Sequence, residues 1–309
     1  EHLSSSKWWD FGRKQGGLFV FTPTITTENS YWYGGTADAI YQNLSFLKRS
    51  HEPYVVIASG DSIYKLDYNK VLEYHIAKKA DITVVTNSVP DWEDPCRFGL
   101  IKTDEDGRIT DFEEKPVVAS SSQLSTGIYV IRRRQLIELI ERCAQEGRKD
   151  FVSDVLVRYK NLKRIYAYQM DSYWRSISSV DAYYKTNMDF LNPEVRNYFF
   201  KEYPEVYSKI DDLPPAKYNP GAEVRNSLIS SGSIVNGKVE NSVLFKKTYI
   251  GNNCVIKNSI VLNDVYIGDN TYIENCIVES RDTIRANTTH IGNPDQIKIV
   301  LEKNERYAL

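Results

Sequence analysis

The sequence predicts an α/β domain built on a mostly parallel sheet, joined through a short linker to a parallel β-helix. Three observations carry that prediction. The run Tyr54-Val55-Val56-Ile57-Ala58 is apolar throughout and ends in Ser59-Gly60-Asp61, as a strand covered on both faces of a sheet does. From about residue 18 to 190, short apolar runs alternate with amphipathic helical stretches, the order that strand-helix-strand crossovers require. Beyond about residue 220 the pattern becomes a repeat. Glu240-Asn-Ser-Val-Leu, Lys257-Asn-Ser-Ile-Val and Glu274-Asn-Cys-Ile-Val are spaced by 17, as are Tyr249-Ile-Gly-Asn-Asn and Tyr266-Ile-Gly-Asp-Asn.

Each element has its own signal. A first strand is expected at 18–21. Thr36 can cap a helix over 37–48, with Ile40, Leu44 and Leu47 on one face. The Asp61 strand follows. Asp67 then caps a helix carrying Val71, Leu72 and Ile76, and residues 82–86 resume as a strand. Residues 98–112 read as a hairpin around Asp106-Gly107. A helix over 134–146 precedes a strand at 164–168, and a helix over 180–191 closes a first domain of residues 1–191. Residues 192–220, aromatic and charged with Pro214-Pro215 and Pro220-Gly221, are expected to form a linker laid along that domain. Residues 221–309 form the β-helix. Three hexapeptides make one coil, and 17 is that coil short by one. Leu244, Ile250, Ile256, Val261, Ile267, Ile273, Val278 and Ile284 fall five or six apart, as stacked triangular coils need. Ser242, Ser259 and Cys276 occupy equivalent positions and are expected to stack.

Composition narrows the function classes. A chain of 309 residues suits two domains at about 150 residues each. The 39 basic and 41 acidic residues are near balance, which argues against a nucleic-acid surface or a polybasic membrane anchor. No stretch approaches the ~18 apolar residues of a membrane span. Cys96, Cys143, Cys254 and Cys276 show no CxxC spacing and the four histidines are scattered, so neither zinc nor a disulfide framework is suggested. The expectation is a reduced, cytoplasmic protein. Glu1 stands where a methionine would, and the chain is expected to lack its natural start.

Four motifs can carry chemistry. In open α/β sheets ligands sit beyond the carboxyl ends of the strands, where Asp61 lies. A carboxylate there holds a metal ion or a ribose, or simply caps a turn. Tyr31-Trp-Tyr-Gly-Gly-Thr-Ala-Asp38 places glycines and a threonine at a helix start, where free N–H groups face an anion or a base edge; a plain glycine turn with a threonine cap gives the same pattern. Glu113-Glu114-Lys115-Pro116 ends a hairpin strand, where a fixed lysine neutralises a phosphate or merely sits solvated. In Leu124-Ser-Thr-Gly-Ile-Tyr-Val130 the glycine allows close approach of either a ligand or a neighbouring strand.

In this order the motifs resemble glucose-1-phosphate adenylyltransferases (ADP-glucose pyrophosphorylases) over nearly the whole chain. The residues that carry the resemblance are Trp32-Tyr33, Gly35-Thr-Ala-Asp-Ala-Ile-Tyr-Gln-Asn43, Gly60-Asp61, Ile63-Tyr-Lys-Leu-Asp-Tyr68 and Phe98-Gly99. They continue with Glu114-Lys115-Pro116, Ser125, Gly127-Ile-Tyr129, Asp150-Phe151, Tyr173-Trp-Arg175, Leu213-Pro-Pro-Ala-Lys217 and Asn226-Ser227. The resemblance implies a Rossmann-like nucleotidyltransferase domain and a left-handed β-helix. It also implies a reaction in which a phosphate oxygen of glucose 1-phosphate attacks the α-phosphorus of ATP and pyrophosphate leaves. By the same resemblance Lys115 would hold the sugar phosphate. Glu114, Ser125 and Gly127 would line the sugar side, and Gly35 and Thr36 would face the nucleotide. Asp61 would bind Mg²⁺, an ion usually held by one or two carboxylates plus substrate phosphates.

Three departures from the family pattern fall on the reaction and not on the fold. Nothing matches the amino-terminal glycine-rich loop that grips the triphosphate, so the first strand and loop are expected to be missing from this chain. Tyr-Trp-Arg-Asp-Val-Gly-Thr reads here Tyr173-Trp-Arg-Ser176-Ile-Ser178-Ser179, so the second metal aspartate has become Ser176. Losing one such preorganised charge typically costs ~10²–10³ in rate. The arginine before Gly-Thr-Ala-Asp is Gly34. The resulting expectation is a regulatory or weakly active subunit in glycogen biosynthesis that partners a catalytic paralogue or itself in an oligomer. Two alternatives stay open: a fully active enzyme whose loop is absent from this chain, and a β-helix acyltransferase. The coils from Gly221 to Asn287 hold no histidine to serve the latter as a base.

Overall fold

The computed structural model describes residues 17–23 and 32–302. They fall into two compact units, one ending at Trp174 and the other beginning at Arg175. Among the described residues no helix is long and apolar enough to cross a membrane.

The first unit opens with helices α1 (Thr36–Gln42) and α2 (Leu44–Arg49), then β1 (Tyr54–Ala58), β2 (Ser62–Tyr64) and α3 (Tyr68–Ala77). There follow β3 (Ile82–Ser88), the hairpin β4 (Gly99–Thr103) and β5 (Ile109–Glu114), the long β6 (Gln123–Arg132), α4 (Arg133–Gln145) and β7 (Ile165–Gln169). Of the two expected caps, Asp67 holds and Thr36 does not, since Thr36 is the first residue of α1 and the N-cap, Gly35, has no side chain to accept from the helix. Asp67 accepts the Asn69 N–H at 3.0 Å at the start of α3. The hairpin turns on Asp104, whose Oδ1 accepts the N–H groups of Asp106 and Arg108.

The sheet differs from the expected parallel one. Its order is β5-β4-β6-β3-β7, with β1 also on β6. Only β3 and β7 pair in parallel, whereas β6 runs antiparallel to β1, β3 and β4. The strand-helix-strand unit is present, but β6 inserts between β1 and β3, so the two parallel strands never touch. Burial follows this topology. β3 is the doubly covered strand, with Ile82, Thr83, Val84, Val85 and Thr86 all buried. β1, read from its composition as covered on both faces, pairs with β6 and leaves Val56 44% exposed. Residues 18–21 form no strand among the described residues; there Phe19 and Phe21 pack on the Phe46 ring at 5.0 and 5.2 Å.

The second unit is a parallel solenoid. Three sheets of five short strands stack coil on coil, with registers Ile250↔Ile267↔Ile284, Ile256↔Ile273 and Val243↔Ile260↔Ile277. The spacing of 17 is the coil from Lys238 to Ile284, whereas the coil before it, pairing Glu223 with Lys238, takes 15. All eight predicted interior positions, Leu244 to Ile284, are fully buried in one core. The small-residue stack is present as a hydrogen-bonded ladder. Ser242 Oγ accepts the Ser259 N–H, and Ser259 Oγ accepts the Cys276 N–H, both at 3.1 Å. Corners turn at asparagines in the left-handed region, Asn226, Asn241, Asn258 and Asn275, a conformation that asparagine tolerates better than most residues.

Helix α5 (Val180–Asp189) falls in this second compact unit. The reason is packing. Its Tyr183, Tyr184 and Met188 cover Val243, Ile260 and Ile277 on the outside of the coils, and Tyr184 Oη donates to the Asn258 carbonyl at 2.7 Å. The segment expected to be a linker carries helix α6 (Pro193–Lys201), capped by Asn192.

Candidate functional site

The bulge in β6 builds the site. Register slips between Val85 and Thr86 of β3, so that Ile128 and Ser125 face consecutive residues while Thr126 and Gly127 bulge. Gly127 takes a φ of +74°, and a Cβ there would stand 2.9 Å from the Ser59 Cβ. Glycine is therefore required for the approach, and the neighbour it admits is the chain just beyond β1. The Ser59 N–H donates to the Gly127 carbonyl at 3.0 Å, and the Ser59 hydroxyl donates to Asp61 Oδ1. Ser62 Oγ adds a weak donor at 3.4 Å. Asp61 is held exposed past the strand end by two hydroxyls and the glycine bulge.

Gly99 makes the opposite wall. A Cβ on it would meet Glu114 Oε2 at 2.8 Å and the Phe112 ring at 2.9 Å, so the Glu114 side chain lies over the glycine across the β4–β5 ladder. Lys115 follows in a left-handed turn, φ 47°, its N–H bonded to the Phe98 carbonyl and its ammonium 3.9 Å from Glu114 Oε1. Burial pushes the Glu114 carboxyl above its usual range; Lys115 opposes the shift and Asp150 adds to it.

Two residues that the sequence reading did not single out as site residues tie these pieces together. Tyr129, buried on β6, shares a hydroxyl contact of 3.4 Å with Ser125. Its phenol is pushed up to about 12, first by burial and then by the charges of Glu114, Asp150 and Asp61. Asp150 sits at the turn after α4, where Oδ1 accepts the Ser153 N–H and Oδ2 faces Thr36 Oγ1 at 3.4 Å. The charges of Glu114, Asp150 and Asp61 thus all reach one buried tyrosine. The alternation of β6 offered a signal for Tyr129, which lies on the same face as Ser125; the place of Asp150 arises only from folding.

The start of α1 corrects one expectation. The N–H groups of Ala37 and Asp38 do not await an anion, because both donate to the Lys149 carbonyl, at 2.8 and 3.2 Å. Thr36 Oγ1 accepts the Phe151 N–H at 2.8 Å, and a Cβ on Gly35 would strike the Lys149 carbonyl at 2.4 Å. Gly35 and Thr36 thus clamp the 149–151 turn that carries Asp150. Tyr31 of the same motif lies outside the described residues.

Ser176 lies in the second unit, buried at the end of β8 (Trp174–Ser176). Its hydroxyl meets that of Ser178 at 2.9 Å and accepts the Ser178 N–H at 3.3 Å. Among the described residues no group of three or more acidic, histidine or cysteine side chains could enclose a metal ion. Asp61 offers one carboxylate, one of whose oxygens is already engaged by hydroxyls. This suits an ion held mainly by substrate phosphates and not by a protein cage.

The chain's similarities fit this geometry. A nucleotidyl transferase family matches residues 4–193, and a GlmU-like, C-terminal hexapeptide family matches residues 214–297. The glucose-1-phosphate adenylyltransferase of Thermotoga maritima is 38% identical over 262 residues, 83% of this chain and 61% of that protein. The enzyme of the same name from Geobacillus stearothermophilus is 37% identical over 252 residues, 80% of this chain and 65% of that one. A third, from Clostridium perfringens, is 37% identical over 259 residues, with shares of 83% and 66%. The chain spans less than two thirds of the length of each of these relatives.

Proposed function

Because the chain belongs to the nucleotidyl transferase family, we propose that it is a subunit of a glucose-1-phosphate adenylyltransferase in glycogen biosynthesis, regulatory or weakly active. In this reading Lys115 neutralises the phosphate of glucose 1-phosphate, while Glu114, Ser125 and Gly127 line the sugar. Gly35 and Thr36 serve the nucleotide side through the 149–151 turn they clamp. The three carboxylates whose charges reach Tyr129 repel a polyphosphate, so a cation is needed between them. Bound Mg²⁺, resting on Asp61 and the phosphates, would offset that charge. The protein's own part is alignment: the Gly127 bulge and the Gly99 wall fix Asp61 and Glu114 before any ligand arrives.

The observation that carries the regulatory half is Ser176. It stands where the family pattern has its second metal aspartate, and its hydroxyl is already paired with Ser178. A neutral, engaged hydroxyl is a poor ligand for a hard cation. A subunit that binds ligands without turning them over still biases a catalytic neighbour in a hetero-oligomer.

The experiment is Mg²⁺-dependent ADP-glucose formation by the full-length protein, alone and mixed with its catalytic paralogue, beside Ser176→Asp. The expected result is weak turnover alone, altered kinetics of the mixture, and a gain in kcat on Ser176→Asp. Turnover by the unaltered protein at the level of an active paralogue would overturn the regulatory reading.

A further inference from the structure

The side chain of Lys149 lies on Gly34. A Cβ at position 34 would stand 2.6 Å from Lys149 Cδ, 3.2 Å from Cε and 3.1 Å from Nζ. The lysine stem therefore fills the space that a side chain at 34 would enter. We propose that the Lys149 ammonium binds the phosphate chain of the nucleotide and positions it, a role that rests on the transferase function proposed for this chain.

The first argument is how firmly this residue is placed. Its N–H donates to Asp154 Oδ2 at 3.1 Å, and its carbonyl accepts the N–H groups of Ala37 and Asp38. Asp154 also accepts the Asp150 N–H at 3.0 Å, so one carboxylate ties the turn on both sides of Lys149's carbonyl. The preceding cation is spent locally. Arg148 pairs with Asp154 at 3.1 Å and with Glu146 at 3.0 Å. Lys149 is not spent in this way: among the described residues its ammonium pairs with no carboxylate. A lysine side chain carries about 2 kcal/mol of rotamer entropy. With a clamped backbone and a stem resting on Gly34, less of that freedom remains to be lost when a ligand binds.

The second argument is charge. Asp150 directly follows Lys149, with Cα atoms about 3.8 Å apart, and its charge reaches Tyr129 together with those of Glu114 and Asp61. Lys115, the cation assigned to the sugar phosphate, already stands 3.9 Å from Glu114. A phosphate chain that enters beside three carboxylates gains from every further cation held in place there. Helix α1 does not supply that charge, because its first N–H groups are spent on the Lys149 carbonyl. The residue that takes those donors offers its ammonium in their stead. Position 34 carries arginine in the family pattern, and in this chain the cation in that space comes from 149.

The test is calorimetric titration of the full-length protein with ATP in the presence of Mg²⁺ and, separately, with glucose 1-phosphate. Lys149→Ala should weaken ATP binding about tenfold, the usual worth of one hydrogen bond to a charged group, and leave glucose 1-phosphate within about twofold. Lys149→Arg should keep most of the ATP affinity. Gly34→Ala probes the placement with the lysine retained, since the flexible stem gives way to the new methyl group. It should weaken ATP binding as well, and in Gly34→Ala/Lys149→Ala the two losses should not add. Unchanged ATP affinity in Lys149→Ala, beside wild-type protein that binds both ligands, would overturn the inference and leave the transferase function standing. Equal loss of both ligands would mark Lys149 as structural and overturn it too. Wild-type protein that binds neither ligand would overturn the transferase function and this inference together.

Discussion

The coils and the α/β unit bury their residues by different logics. In the solenoid an interior residue meets its own kind in the neighbouring coil, so that Ile267 lies between Ile250 on one side and Ile284 on the other. In the first unit no role recurs. Gly127 is needed once, to let Ser59 approach, and Gly99 once, to admit Glu114. Repetition spreads the cost of any one change over neighbours of the same kind, whereas a singular contact concentrates it on the site it builds.

The largest test of that contrast is a cavity in the coils. Ile256→Ala removes a fully buried side chain and should lower unfolding stability by about 2–5 kcal/mol, read from chemical denaturation. Equal losses at Ile256 and Ile273 would sharpen the view of the coils as equivalent, and a difference above the upper half of that range would break it.

Next in size is a singular group of the first unit. Burial, followed by the Arg132 charge, lowers the His75 pKa from 6.5 to about 4. The unfolded chain then binds the extra proton first, so the stability contributed by neutral His75 is present above pH 6.5 and is lost as pH falls toward 4. The loss is on the order of 3 kcal/mol. His75→Phe should flatten the pH dependence of the unfolding midpoint in that window; an unchanged slope would remove His75 from the account.

Smaller again is the serine ladder. In Ser259→Ala the Cys276 N–H loses its acceptor inside the coils, with an expected cost of about 1–3 kcal/mol, whereas Ser259→Cys should recover part of it, since Cys276 occupies the equivalent position one coil on. The smallest effect is Thr36→Ala, which frees the Phe151 N–H and should cost about 1 kcal/mol. Hydrogen exchange at Phe151 should rise while the coils stay protected. If exchange does not rise, the clamp on the 149–151 turn is made by Gly35 and Lys149 alone.

These differences also explain what the sequence could and could not reveal. The coils were legible to the residue because their period is local: a spacing of 17 fixes which side chains point inward. The hairpin at Asp106-Gly107 and the cap at Asp67 were legible because turn chemistry acts within a few residues, whereas Thr36, read as a cap, is the first residue of α1 and turns its hydroxyl to the 150–151 backbone and side chain instead. The insertion of β6 between β1 and β3 was not, since an apolar run does not state its partner's direction. The same limit hid Tyr129 and Asp150, which enter the site only when β6 and the turn after α4 converge. The helix start at Gly35 shows the limit from the other side, as its donors were visible but their acceptor, the Lys149 carbonyl, lies more than a hundred residues away.

The coil period has a consequence for how such a protein changes over generations. Residues 258–274 contain one full set of strands, one serine of the ladder and three left-handed corners, at Asn258, Asp264 and Asn270. A tandem duplication of that stretch would present every neighbour with the partner it already has, and would lengthen the prism by about 4.8 Å. The earliest coil, where Glu223 pairs with Lys238 and Ile234 with Tyr249, takes 15 residues and keeps the same inward set, so a corner can lose two residues without turning the later coils. Growth here keeps register strand by strand, and the last coil, where Ile277 pairs with Ile299 after a longer excursion, shows extra residues looping out between strands that still pair.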